Sequence, residues 1–141
     1  MTDVTALPVG GYNPLRWDCN TSGCFNQKKR PKIEVFSECF PGRINFGDVD
    51  AIVEIGGQFL LLEWKEFTAE LPTGQRIMYR RLTGDEHFVV LVVVGDAETM
   101  AVEGIQAWEK GRAKPFEALD LAGLKRRIRS WAKASGARAA A

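Results

Sequence analysis

A pair of adjacent glycines within an apolar stretch places the strongest constraint on the fold. Gly56 and Gly57 separate two runs rich in Ile, Val, Leu and Phe. Such a pair suits a two-residue type I′ turn, because both central positions of that turn need positive φ. The sequence therefore predicts an antiparallel hairpin in which Ile55 faces Gln58, and the remaining pairs follow by counting outward from the turn.

The predicted register brings charged side chains together at the open end of this hairpin. Asp50 falls opposite Glu63, and Asp48 falls opposite Lys65. Side chains alternate along a strand, and directly opposed residues share a face with their Cβ atoms roughly 5 Å apart. We therefore expect these four charged side chains to lie on one face of the hairpin.

Two neighbouring carboxylates on an apolar hairpin raise each other's pKa unless a cation neutralises them. Mg²⁺ prefers oxygen ligands, commonly one or two carboxylates with water and phosphate oxygens, and Asp50 and Glu63 match that preference. Lys65 would orient or help to deprotonate an attacking water, or stabilise charge on a scissile phosphate. Asp48 is either a second metal ligand or a partner of Lys65. The alternative is a solvated group of ion pairs.

The segment after the hairpin predicts a helix and then a buried strand. Residues 75–82 have a helical pattern, with Thr73 as a possible N-cap. Residues 87–94 form an almost unbroken β-branched run, which is typical of a strand buried on both faces. A right-handed crossover would place this strand parallel to residues 59–65.

Over residues 34–96 the chain resembles the PD-(D/E)xK nuclease superfamily, which includes many phage and bacterial DNA-processing enzymes. The motifs that carry the resemblance are Val49-Asp50 in the place of Pro-Asp, Glu63-Trp64-Lys65 as (D/E)xK, and Gln75 with Tyr79 as the Q-x-x-x-Y motif of the RecB-like branch. Val49 departs from the usual proline. The resemblance implies an α/β, restriction-endonuclease-like fold, in which helices flank a mixed β-sheet with an α-β-β-β-α-β core.

The resemblance also implies an activity, the hydrolysis of phosphodiester bonds in DNA by a metal-activated water. It implies that Mg²⁺ or Mn²⁺ is bound by Asp50, Glu63 and the backbone carbonyl of Trp64. Lys65 would be the catalytic lysine, and Gln75 and Tyr79 would contact the site or the DNA. RNA is not excluded as a substrate. The alternatives are a nuclease-like protein that binds nucleic acid without cutting it, and a small zinc-stabilised interaction protein.

A first core helix is predicted at residues 30–40, where Ile33, Phe36 and Phe40 share an apolar face. Glu34 and Glu38 lie one turn apart on another face. The superfamily often has a glutamate on this helix that coordinates the metal or its water, and Glu34 matches it best by position. The alternative is that both glutamates are ordinary surface residues.

The net charge of +1 does not by itself indicate a nucleic-acid partner, so the distribution of basic residues carries more information. Lys29 and Arg30 lie at the entry to the first helix, and Arg76 and Arg80 lie one turn apart on the helix with Gln75. These residues would hold phosphates. The alternative is that they belong to solvated helix faces.

Three cysteines raise the question of a structural metal. Cys19, Cys24 and Cys39 would need a fourth ligand to complete a zinc site, and the only histidine is His87, at the start of the buried strand. Free or buried thiols are the alternative.

The length of 141 residues and the hydrophobic fraction of 45% fit a single domain. We divide it into a cysteine-containing segment (1–29), a catalytic core (30–96), a C-terminal strand and helix (97–134) and a disordered tail (135–141). Residues 100–108 fit an edge strand or a short helix. No apolar run spans a membrane and no signal peptide is evident, so we expect a cytoplasmic protein, in the host if phage-encoded. A homodimer or a larger DNA-processing complex is a plausible assembly.

Overall fold

The computed structural model describes residues 31–66 and 71–140, with no side-chain description for Ala140. These residues belong to two compact units, with residues 31–48 in one and residues 49–140 in the other. The sequence predicts one domain with a catalytic core at 30–96, whereas the division between the units falls inside that core. Each unit is therefore described by itself.

Residues 31–48 contain one short helix. A 3₁₀ helix covers Ile33–Cys39 and buries none of its residues. Phe46 contacts the rings of Phe36 and Phe40 edge to face, with centroid distances of 5.9 and 5.1 Å. The prediction of a regular helix at 30–40 is therefore wrong in type. Helical spacing alone cannot distinguish a helix with i→i+4 bonds from the tighter 3₁₀ form.

The unit from residue 49 onward contains a mixed sheet of six strands with a helix on each face. Its elements in chain order are β1 (Ala51–Ile55), β2 (Gln58–Lys65), α1 (Thr73–Thr83), β3 (Phe88–Asp96), β4 (Ala101–Glu109), β5 (Arg112–Ala113), β6 (Glu117–Ala118) and α2 (Leu121–Ala140). The strand order is β1-β2-β3-β4-β5, and β6 also pairs with β4. All pairs are antiparallel except β2 with β3. The predicted mixed sheet flanked by helices is confirmed at this level.

The hairpin of β1 and β2 has the predicted register. Ile55 pairs with Gln58, and the pairing continues outward to Ala51 opposite Leu62. Gly56 and Gly57 have φ values of 58° and 84°, as a type I′ turn requires. The Glu54 carboxylate accepts a 2.7 Å hydrogen bond from the backbone N–H of Gly57, which further fixes the turn.

The crossover from β2 to β3 through α1 is also confirmed. β3 runs parallel to β2, from Phe59 opposite Phe88 to Lys65 opposite Val94. β3 then pairs with β4, and the register shifts between Val94 and Gly95. A β-bulge of this kind bends a strand and re-aims the side chains beyond it.

The two faces of the sheet form two apolar clusters. One is formed with α2 and contains Leu60, Leu91, Val93, Ile105, Ala107 and Leu124. The other is formed with α1 and contains Leu61, Tyr79, Val90, Val92 and Trp108. β3 contributes to both clusters, because its alternate side chains point to opposite faces. This explains why its sequence is apolar almost without interruption.

The start of α1, the structure of residues 100–108 and the end of the chain can each be compared with the prediction from sequence. Thr73 is the first residue of α1 rather than its N-cap; Pro72 occupies the cap position, with no side-chain hydrogen bond. Residues 100–108, which fit either a strand or a helix by sequence, are almost entirely strand β4. The tail predicted to be disordered from 135 onward is helical through Ala140, and Ser135 is buried.

Among the described residues, no helix combines the length and the apolar character needed to cross a membrane.

Candidate active site

The open end of the hairpin is where the sequence predicts a site, and a hydrogen bond connects its two strands there. The Asp50 side chain is half-buried just before β1, and its Oδ2 accepts a 2.6 Å hydrogen bond from the backbone N–H of Trp64. The indole Nε1 of Trp64 donates in turn to the Gly95 carbonyl at 2.9 Å. Trp64 therefore connects the start of β1, the end of β2 and Gly95 of β3, where the register with β4 shifts.

Alternation along β2 decides which face carries the charged residues. Leu61 belongs to the cluster formed with α1, so Glu63 and Lys65, which follow at intervals of two, lie on that face as well. Both are half-buried. The pairing of β1 with β2 ends at Ala51 opposite Leu62, and Asp50, the next residue outward, accepts its hydrogen bond from the Trp64 backbone. Glu63 and Lys65 thus share the α1 face of β2, and Asp50 is fixed to the same end of that strand; the site that the sequence predicts there stays a prediction.

The charges of Glu63 and Asp50 act on the hydroxyl of Tyr79, which lies on α1. Its side chain is 2% exposed. Burial raises the pKa of the Tyr79 hydroxyl well above its usual value, and the negative charges of Glu63 and then Asp50 raise the pKa further. The charges of both acidic groups therefore act on the Tyr79 hydroxyl and disfavour its ionisation.

Three buried polar atoms on the α1 face have no hydrogen-bond partner among the described residues. They are the Tyr79 hydroxyl, Oε1 of Gln75 and Nε1 of Trp108. Gln75 and Tyr79 are one turn apart on α1, and the Tyr79 ring packs edge to face on Trp108 with centroids 5.9 Å apart. Buried polar groups are normally paired, so unpaired ones on one face of the sheet indicate a place where a ligand or water supplies the partner.

Two cavities lie on the α1 face of the sheet. One has a volume of about 170 Å³ and is bordered by Lys65, Arg76, Gln106 and Phe116, among others. The other, of about 360 Å³, is bordered by Arg76, Arg80, Gln106 and Trp108, with further residues of α1 and β5. The predicted DNA-contacting residues Arg76 and Arg80 thus border open space next to Lys65, and their side chains are exposed.

Several predicted site residues belong to the other unit or lie outside the described residues. Glu34 lies on the 3₁₀ helix and Asp48 at the end of the unit 31–48; both are exposed there. Lys29 and Arg30 lie outside the described residues, as do Cys19 and Cys24. Cys39 is an exposed thiol. The predicted roles of these residues stay predictions.

The oxygen donors at the hairpin end suit a hard cation. Within residues 31–66 and 71–140, no three His, Cys, Asp or Glu side chains are grouped as a metal site. Asp50 and Glu63 nevertheless lie at the same end of β2, where the Trp64 carbonyl and the buried Gln75 amide oxygen are further oxygen donors. One or two carboxylates with water and substrate oxygens are what Mg²⁺ commonly uses, so this set fits Mg²⁺ and does not resemble a closed zinc site.

Sequence reasoning missed three residues that border the cavities: Gln106, Trp108 and Phe116. The first two lie on β4, which the sequence did not assign as a strand, and Phe116 lies just before β6. The alternation of residues 105–108 between apolar and mixed side chains was the available signal for a strand.

Comparison of the chain with models of known protein families, with curated proteins and with solved structures finds no match. The candidate site therefore depends on its own geometry and chemistry.

Proposed function

We propose that the protein is a metal-dependent nuclease of the PD-(D/E)xK kind, with a restriction-endonuclease-like fold, that hydrolyses phosphodiester bonds in DNA. The observation that supports the proposal is that Asp50 is bound to the backbone beside Glu63, that the charges of both acids act on the buried Tyr79 hydroxyl, and that Lys65 lies on the same face of β2 as Glu63. An exposed group of ion pairs would not require the polar atoms of Gln75 and Tyr79 to be buried beside it.

The acidic pair defines where a cation would be held. Asp50 and Glu63, with the Trp64 carbonyl, would hold Mg²⁺ or Mn²⁺ through oxygen atoms, as hard cations prefer. When bound, the cation would act as a Lewis acid toward a phosphate oxygen and lower the pKa of water.

Lys65 supplies positive charge on the same strand face as Glu63. Its side chain is half-buried, so the field of its ammonium group is less screened than that of an exposed lysine. Placed beside a phosphodiester, it would stabilise the negative charge that grows on the phosphate oxygens during hydrolysis, or orient the attacking water.

Gln75 and Tyr79 hold the opposite side of the site. The Tyr79 hydroxyl is protonated at neutral pH, as tyrosine ordinarily is, and would donate a hydrogen bond to a group bound in the site. The buried amide oxygen of Gln75 would accept one. These groups would orient the carboxylates and a water, and they would keep bulk solvent out.

The test is cleavage of labelled single-stranded, duplex and branched DNA by the purified protein with Mg²⁺, Mn²⁺ or EDTA. We expect metal-dependent cutting that Glu63→Gln abolishes and that Lys65→Ala slows by about 10²–10³-fold, the typical cost of losing one group that stabilises developing charge. Glu103→Gln is the matched control, because Glu103 is an exposed acid on β4 that borders neither cavity. Cutting that survives Glu63→Gln, or no cutting by the folded wild type with either metal, would contradict the proposal.

A further inference from the structure

We propose that the two cavities on the α1 face form one groove for a single nucleic-acid strand, in which Phe116 stacks on an unpaired base. The strand would be the substrate of the proposed nuclease, so its cleavage depends on the proposed function, whereas its binding does not. We name this surface the strand groove and define it by Lys65, Arg76, Arg80, Gln106, Trp108 and Phe116.

The two cavities are neighbours on the α1 face because they share two lining residues. Arg76 and Gln106 border both the 170 Å³ and the 360 Å³ cavity. Lys65 of the candidate active site borders the smaller cavity, and Arg80 borders the larger one. A nucleic-acid strand that occupied the groove would therefore run from Lys65, past Arg76, to Arg80.

Phe116 is an exposed aromatic side chain held against the sheet. It is 54% exposed although it borders the smaller cavity. A Cβ built on Gly104 would clash with Cζ of Phe116, so the ring contacts the backbone of β4 where a side chain is missing. Gly104 pairs with Val94, next to the bulge. The ring is thus supported by protein on one side, while the side chain remains open to solvent.

The charged side chains that border the strand groove are positive, as the binding of a phosphate backbone requires. Lys65, Arg76 and Arg80 border it, and no carboxylate does so among the described residues. Trp108 lies at its floor, and the indole N–H has no partner in the described part of the chain. Basic side chains that follow a backbone, combined with an aromatic ring that stacks on bases, are characteristic of grooves that bind single strands without reading sequence.

The size and the ring both favour a single strand over a duplex. Ligand pockets of about 300–1,000 Å³ hold small molecules, so the larger cavity has space for little more than one nucleotide. A stacking ring also needs a free base face, and the bases of a duplex are already stacked on each other.

Binding can be separated from cleavage by measuring it without metal. In EDTA, fluorescence anisotropy with a labelled strand of about 12 nucleotides, a length within the usual site sizes, should give tighter binding than the matching blunt duplex. Phe116→Leu should weaken single-strand binding at least about fivefold, the lower end of the stacking contribution. Phe116→Tyr keeps the ring and should bind within about twofold of wild type if stacking is the cause.

Salt dependence provides an independent readout for the arginines. Removal of one arginine–phosphate interaction should lower the slope of log K against log salt by about 0.7 for a single strand. Arg80→Gln should show that decrease, and Phe116→Leu should leave the slope unchanged. Arg81→Gln is the matched control, because Arg81 is exposed on the same helix but borders neither cavity.

Tighter binding to duplex than to single strand would overturn the proposal, as would wild-type affinity in Phe116→Leu. Single-strand binding with the expected variant effects but no cleavage with any metal would support the groove and refute the nuclease. Metal-dependent cleavage would support the nuclease. If Phe116→Leu and Arg80→Gln then left binding unchanged, the strand groove would be refuted.

Discussion

The two faces of the sheet are built from neighbouring residues of the same strands, yet they differ in how their polar atoms are satisfied. On the α2 face, the buried cluster is formed only by aliphatic side chains from β2, β3, β4 and α2. On the α1 face, the cluster includes Tyr79 and Trp108. Every buried side-chain atom without a partner in the described residues belongs to the α1 side of the sheet or to the helix that covers it.

This difference in unpaired polar atoms indicates that the α2 face contributes mainly to stability and the α1 face mainly to function. An unpaired buried donor or acceptor costs about 1–3 kcal/mol, so three of them on one face weaken that face. A protein retains such groups where they serve another purpose, commonly at a ligand site. We therefore expect substitutions on the α2 face to change mainly the free energy of unfolding, and substitutions on the α1 face to change mainly activity and binding.

Adjacent residues of β4 provide the largest expected contrast. Ile105 is 1% exposed on the α2 face, so Ile105→Ala should lower the free energy of unfolding by about 2–5 kcal/mol. Gln106 points to the other face and borders the groove, so Gln106→Ala should cost less than Ile105→Ala but weaken binding of a single strand. Urea unfolding and anisotropy on both variants test this. Equal losses of stability would contradict the division between the faces.

Tyr79→Phe tests the buried hydroxyl directly. Removing a donor without a partner in the described residues should leave the free energy of unfolding within about 1 kcal/mol of wild type or raise it, because no hydrogen bond is lost. Cleavage should nevertheless slow, since the hydroxyl lies beside Glu63 and Asp50. Thermal unfolding and initial rates should be measured on the same preparation. A strong destabilisation without loss of rate would assign the hydroxyl to the core instead.

The pH dependence of stability above neutrality also tests the Tyr79 hydroxyl, and we expect a smaller effect there than that of Tyr79→Phe on cleavage. The unfolded tyrosine ionises near pH 10, and the pKa of Tyr79 in the folded protein is higher, so the folded state favours the neutral form. The contribution of neutral Tyr79 to the free energy of unfolding is fully present below about pH 10. It is lost as the pH rises through the pKa of Tyr79 in the folded protein. Urea midpoints measured between about pH 9 and pH 11 should fall more steeply for wild type than for Tyr79→Phe. Parallel curves would contradict the assignment.

A substitution on the edge strand β1 should change the free energy of unfolding least. Ile52 lies on β1 with 59% of its surface exposed, although it opposes the buried Leu61. Ile52→Thr should change the free energy of unfolding by no more than about 0.5 kcal/mol in urea titrations, as exposed positions usually do. A large destabilisation would show that β1 is covered in solution.

The hairpin, its register and the parallel strand are predictable from sequence because local chemistry decides them. Gly56 and Gly57 adopt the positive φ values that their turn needs, and the β-branched run of β3 is buried on both faces. Since the register follows from the turn, the placement of Glu63 and Lys65 on one face of β2 is predictable too.

The remaining features depend on interactions that local sequence does not reveal. The groove residue Phe116 is placed by its contact with Gly104, on a strand displaced by a bulge that no local pattern indicates. The helix at residues 33–39 has the spacing of a regular helix, but it is of the 3₁₀ type and it buries nothing. The end of α2 is helical despite its low-complexity sequence, because alanine is the best helix former, and the predicted disorder there is wrong.

The hydrogen bond from the Trp64 backbone to Asp50 has a consequence for the denticity of that carboxylate. Because Oδ2 accepts a 2.6 Å hydrogen bond, one of its lone pairs is already used, and Oδ1 is the oxygen left fully available to a cation at Asp50. Binding through that one oxygen suits the octahedral shell of Mg²⁺, in which water and substrate oxygens supply most ligands. A single peptide N–H would thus hold the carboxylate in the orientation in which it binds a cation.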